Sequence, residues 1–155
     1  MEMNKTKVAV VGNRKGFNYE YVSTMLTKLK ITKEFIIVSG GAEGVDTYVQ
    51  KYAREIGTEI IIYYPDVDLA YPWRYLERDR RMVNDSEFLI AFNKMDKGGT
   101  FYTINYTKKI GKKCIVFNGD DTWGVYPPES IEPKTIKEEK ISQSVTKGEQ
   151  SENKA

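Results

Sequence analysis

The chain contains no histidine and a single cysteine. The first absence removes Ser-His-Asp and Cys-His catalysis and takes away the commonest metal ligand. The second removes an internal disulfide and any cysteine-based zinc cluster, so no metal site is expected. Cys114 lies in the apolar run "CIVF", where a cysteine reads as a small buried hydrophobe. Long apolar runs are missing too, and the N-terminus lacks the apolar core of a signal peptide, so a cytoplasmic protein without a membrane span is expected. An excess of one charge is also lacking. Twenty-four basic residues face 22 acidic ones, for a net charge of +2. No global pull toward nucleic acid or an anionic membrane follows from that balance. Any chemistry must rest on carboxylates, Arg, Lys, Tyr, Ser/Thr or backbone amides.

What is present is an alternation. Short β-rich apolar runs occur at Lys7–Gly12, Glu34–Ser39, Thr58–Tyr64, Glu87–Phe92 and Lys112–Phe117. They are continuous rather than alternating, as in strands covered on both faces. Helical periodicity fills the gaps at Tyr19–Ile31, Val45–Ile56, Trp73–Val83 and Thr100–Ile110, and Gly57 and Gly111 stand where helices end. Strands alternating with helices predict an α/β fold with a single Rossmann-like, doubly wound, mainly parallel five-stranded sheet and helices on both faces. The 155 residues divide into a domain over 1–128 and a polar tail over 129–155. The tail has no aromatic residue and is rich in Glu, Lys, Ser and Thr, a composition expected to stay disordered.

In an open α/β sheet, ligands bind beyond the carboxyl ends of the strands. Four unusual stretches lie there: "GNRKG" from Gly12, "SGGAEGVD" from Ser39, "YYPDVD" from Tyr63 and "FNKMDKGGT" from Phe92. Glycine at a helix N-terminus lets an anion approach the unpaired amides. It also simply lets the chain turn. Two such turns, at Gly40, Gly41 and Gly44 and at Gly98 and Gly99, favour anion binding. Neither is a Walker A or GxGxxG fingerprint, so no cofactor is assigned. Thr100 either lines the site or caps its helix. Asp46 either accepts from a ribose hydroxyl or favours the helix dipole. Arg74, Arg78 and Arg81 share one helical face. They read either as a phosphate face, to which Arg14 adds another donor, or as an ion-paired face using Glu77 and Asp85. Of the flanking aromatics Tyr63, Tyr64, Tyr71, Trp73, Phe101 and Tyr102, one or two are able to stack on a base; the rest read as core or rim.

"VVGNR", "VSGGAEGVD", "RDRRMV", "DSEFLIAF" and "GGT", in this order from Lys7 to about Phe117, resemble the SLOG superfamily of DprA-like and LOG-like Rossmannoid proteins. The nearest subgroup is similar to the YspA-type (DUF2493) proteins. The resemblance implies a pocket for a nucleotide or nucleotide-derived ligand, lined by Gly12, Arg14, Gly40, Gly41, Gly44, Asp46, Arg78, Gly98, Gly99 and Thr100. It also implies an oligomer, although no stretch of the sequence marks an interface. Two positions depart from the family pattern. Arg78-Asp79 stands where YspA-type proteins read Arg-Asn. Thr103 stands at the catalytic Glu of the LOG phosphoribohydrolases, and a threonine cannot stabilise a cationic sugar as a carboxylate does. The leading expectation is therefore a nucleotide-binding module, a sensor of a phosphorylated or ADP-ribose-like ligand. The first alternative is an N-glycosidic hydrolase or transferase using acids among Glu43, Asp46, Asp66 and Asp79. The second is single-stranded nucleic-acid binding of DprA type.

Overall fold

The computed structural model describes residues 5–120 and 122–128. The polar tail expected over 129–155 lies outside the described residues. Ten elements follow one another: β1 (Thr6–Gly12), α1 (Tyr19–Lys28), β2 (Phe35–Ser39), α2 (Val45–Ile56), β3 (Glu59–Ile62), α3 (Trp73–Asn84), β4 (Phe88–Phe92), α4 (Gly99–Lys109), β5 (Lys113–Phe117) and β6 (Trp123–Tyr126). The sheet order is β3-β2-β1-β4-β5-β6. The first five strands are parallel, with Val8 beside Ile37 on one side and Val10 beside Ile90 on the other.

The sheet has six strands rather than the expected five. β6 turns back antiparallel onto β5, pairing Ile115 with Val125. It is only four residues long and is interrupted by Gly124, so it is too short to stand out as an apolar run. Its entry is set by the turn at 118–122, where Asp120 accepts from both the amide and the hydroxyl of Thr122.

The period-2 alternation of a strand sends neighbouring side chains to opposite faces, and the core divides accordingly. Val8, Val10, Ile37, Ile90, Phe92, Ile115 and Phe117 pack under α1 and α2 with Val22, Leu26, Val45, Val49 and Tyr52. Ala9, Val11, Val38, Leu89, Ala91, Cys114 and Val116 pack under α3 and α4 with Met82, Val83 and Ile104. Burial pushes the Cys114 thiol up to about 12, so it stays protonated within this second layer. Among the described residues, no helix is long and apolar enough to cross a membrane.

Candidate functional site at the carboxyl edge of the sheet

The winding direction reverses between β1 and β4, which makes their carboxyl ends the topological switch point. Asn13 fills this crevice. Its amide donates to Phe92 O (3.1 Å), and its Nδ2 donates to Asn93 Oδ1 (3.0 Å). Its Oδ1 accepts from the Lys94 amide (2.8 Å), and its carbonyl accepts from the Val45 amide (3.2 Å). One buried asparagine thus ties β1, β4 and the start of α2 together. Sequence reading quoted Asn13 within "GNRKG" but did not select it, because a polar residue after a strand carries no mark of burial.

The glycine turn between β2 and α2 is largely satisfied from within. The Gly41 amide reaches Ser39 Oγ (3.4 Å), the Ala42 amide donates to Asp46 Oδ2 (2.9 Å), and the Val45 amide is taken by Asn13. A Cβ at Gly12 would lie 2.4 Å from Val45, one at Gly40 2.7 Å from the Arg78 guanidinium carbon, and one at Gly44 2.5 Å from the Arg14 backbone. These three glycines are therefore required by close packing around the turn. Gly41 is exposed, and a Cβ there would touch Ile62 at 3.0 Å.

The turn before α4 is different. Gly98, at φ 95°, is the N-cap, no side chain caps the helix, and the first bond into it runs from the Tyr102 amide to Gly98 O. Nothing lies within 4 Å of where a Cβ would stand at Gly98 or Gly99. The first turn of the helix has amides without an intrahelical partner at the positive end of its dipole. Thr100 is half-buried and makes no capping bond. Beside the turn, an open depression of about 700 Å³ is lined by Asn93, Lys94, Met95, Asp96, Asn118 and Asp120.

A buried polar relay connects the two turns. Arg78 Nη1 donates to Gly40 O (2.9 Å), and Arg78 Nε donates to Asp79 Oδ1 (2.7 Å). Thr103 Oγ1 lies 2.8 Å from both Asp79 Oδ2 and Gly99 O, and its one hydrogen serves one acceptor at a time. Arg78, Asp79 and Thr103 are all buried. Arg78, read from the sequence as a phosphate donor, thus holds the β2 turn from inside. Thr103, at the position of the LOG glutamate, positions Asp79 against the start of α4. Burial raises the Asp79 carboxyl, opposed by Arg78 and the Thr103 hydroxyl. Asp46, also buried, is raised to about 7, chiefly by burial, with the Asp79 charge adding to it and the Ala42 amide, Arg78 and Arg14 opposing. Arg14 itself is exposed.

The other arginines of α3 hold the loop that follows β3. Arg74 donates to Leu69 O (3.0 Å) and Val67 O (3.2 Å). Arg81 donates to Tyr64 O (2.8 Å) while paired with Glu77 (2.9 Å). Asp85, expected as a second partner of Arg81, accepts instead from the Tyr63 hydroxyl (2.6 Å). Arg80, on another face, donates to the Tyr102 hydroxyl (2.6 Å). Among the described residues, no cluster of three or more Cys, Asp or Glu side chains is placed to hold a metal ion.

The fold has counterparts in solved structures. DNA processing protein A (DprA) from Streptococcus pneumoniae matches over 72% of this chain and 50% of its own, with a TM-score of 0.62 and 22% identity. DprA from Helicobacter pylori, whose structure describes a single-stranded-DNA binding mode, matches over 72% of this chain and 64% of its own, with a TM-score of 0.55 and 23% identity. TM1055 matches over 70% of this chain and 72% of its own, with a TM-score of 0.52 and 20% identity. A family model described as DNA recombination-mediator protein A matches residues 1–72. This is a DprA-like Rossmann-type fold. The matched segment carries β1, β2 and β3 with both glycine-bearing strand ends, Gly12 and "SGGAEGVD". The chain spans half the length of the S. pneumoniae protein and less than two thirds of the H. pylori one. No curated protein matches.

Proposed function

We propose that this SLOG domain binds single-stranded nucleic acid along the carboxyl edge of its sheet, with backbone phosphates received at the N-terminus of α4 and by Arg14. The observation that carries this reading is the contrast between the two glycine turns. Neither helix has a side-chain N-cap, but the α2 turn spends its Gly41, Ala42 and Val45 amides inside the protein, whereas the glycines of the α4 turn border open space. An open rim suits an extended chain of phosphates better than an enclosed mononucleotide. The likeness to DprA, one structure of which describes single-stranded-DNA binding, supports the same direction.

A second reading, a mononucleotide-derived ligand of the kind expected for a YspA-type protein, is favoured by Asp46. A buried carboxyl raised to about 7 holds a proton through much of the neutral range and can then donate to a ribose oxygen. Asp46 and Asp79 are also the acids an N-glycosidic reaction would use.

The test is binding of fluorescent oligothymidylate in a salt series. Affinity should fall with rising salt, with a log–log slope of about −0.7 for each phosphate neutralised, and nucleoside monophosphates should compete poorly. Saturable binding of a monophosphate with no oligonucleotide binding at low salt would replace the first reading with the second.

A further inference from the structure

The segment between β3 and α3, with the first turn of α3, carries the most exposed large hydrophobic side chains among the described residues. Tyr71 is 78% exposed, Tyr64 72%, Val67 69% and Trp73 56%, and Tyr75 stands at 36%. Aromatic rings this exposed on a floppy loop would signify little. Here the loop is stapled to α3. Its carbonyls at Tyr63, Tyr64, Val67 and Leu69 accept from Arg78, Arg81 and Arg74. Tyr71 and Tyr75 meet edge to face at 6.1 Å. The rings are thus held outward by a fixed backbone, which lowers the entropy cost of anything that stacks on them.

The electrostatics choose the occupant. The three stapling arginines turn their guanidiniums onto loop carbonyls, while Asp66 and Asp68 are exposed on the same segment. This end of the carboxyl edge therefore spends its arginine donors on backbone carbonyls, places two carboxylates beside them and offers ring faces. The open amides of α4 lie three strands away in the order β3-β2-β1-β4, about 14 Å at the usual spacing between strands. An apolar ring surface joined to a phosphate-accepting rim across that distance fits a strand whose backbone and bases contact different places.

We propose that Tyr64, Tyr71 and Trp73 form a platform on which unpaired nucleobases stack, while the backbone stays at the α4 and Arg14 end of the edge. The platform rests on the reading of that edge as a nucleic-acid site. It adds a requirement for bases, and a requirement that they be unpaired, since paired bases in a duplex do not offer their faces.

The experiment compares, on the full chain, an oligothymidylate with an abasic deoxyribose-phosphate oligomer of equal length and charge. The expected result is at least tenfold tighter binding of the oligothymidylate. Trp73 emission should be quenched by the oligothymidylate and not by the abasic oligomer. The double variant Y71A/W73A, altered only at exposed positions, should bring the oligothymidylate most of the way down to the abasic affinity, with Tyr64 left in place, and leave abasic binding unchanged. Equal affinities for both oligomers, indifferent to the double variant, would overturn the platform and leave the phosphate rim standing. Failure of both oligomers to bind at low salt would overturn the rim and the platform together. Retention of a protein on the Tyr71 surface in a chain that binds neither oligomer would assign the rings to a protein partner instead.

Discussion

At the scale of single residues, the site turns on the difference between a glycine that faces a ligand and a glycine that faces its own protein. Both kinds look alike in a sequence, because both require only the absence of a Cβ. Gly12 is pressed against Val45, so Gly12→Ala should overpack the β1–α2 contact and cost about 1–3 kcal/mol. Gly99, inside the first turn of α4 with open space around it, should accept Ala with unchanged or slightly improved stability. Gly99→Val should fold and still weaken binding of oligothymidylate. Chemical denaturation beside anisotropy separates these outcomes. An unstable Gly99→Ala would show that the α4 turn is packed and not open.

Asp46 makes a prediction of definite sign. Its folded pKa of about 7 lies above the ordinary value of 3.8. Between those values the folded chain keeps a proton that the unfolded chain has lost. Its contribution to stability is therefore most favourable below about pH 4, declines as pH rises toward 7, and is level above. Asp46→Asn removes this dependence. The variant should be more stable than the parent at pH 8 by about 2–4 kcal/mol, and the gain should vanish near pH 4. Urea midpoints across that range measure it. A variant less stable at pH 8 would mean that the ionised carboxylate, held by the Ala42 amide and Arg14, is the preferred form.

At the scale of elements, α3 shows how far spacing can be read. The positions of Arg74, Arg78 and Arg81 correctly place them on one face, but a helical wheel does not show what that face meets. It meets backbone carbonyls from two loops, and among the described residues only Glu77 and Asp79 are its ionic partners. Arg78 has the heaviest duty, since its removal leaves Asp79 buried without its charge partner and frees the Gly40 carbonyl. Arg78→Ala should therefore cost about 3–5 kcal/mol of stability. Arg74→Ala should cost less and act locally, raising hydrogen exchange over residues 64–72 while β1 stays protected. Wholesale loss of protection would mean that the loop is integral to the core.

At the scale of the whole molecule, the doubly wound arrangement was legible because five strands announced themselves as continuous apolar runs, with boundaries close to those observed. β6 was not, since a four-residue strand with a glycine gains its identity from pairing with β5 rather than from its own side chains. The relay from Gly40 to Gly99 was equally hidden, because it joins residues from three separate elements that only the fold brings together. Slowest hydrogen exchange is expected in β1 and β4, which are paired on both sides, and faster exchange in β3 and β6 at the rims. Uniform protection across all six strands would show that the sheet opens only as one unit.

The central place of β1 also bears on how this chain is made. Asn13 and Asn93, which clasp each other across the switch point, stand 80 positions apart. A ribosome adding residues at about 5–20 per second delivers β4 roughly 4–16 s after β1. Throughout that interval β1 can pair with β2 on one side only, and the face destined for α3 and α4 stays uncovered until α3 is made shortly before β4. The emerging half-sheet is thus a vectorial intermediate with a sticky flank, and its survival in a crowded cell depends on translation speed and on whatever chaperone shields that flank until residue 92 emerges.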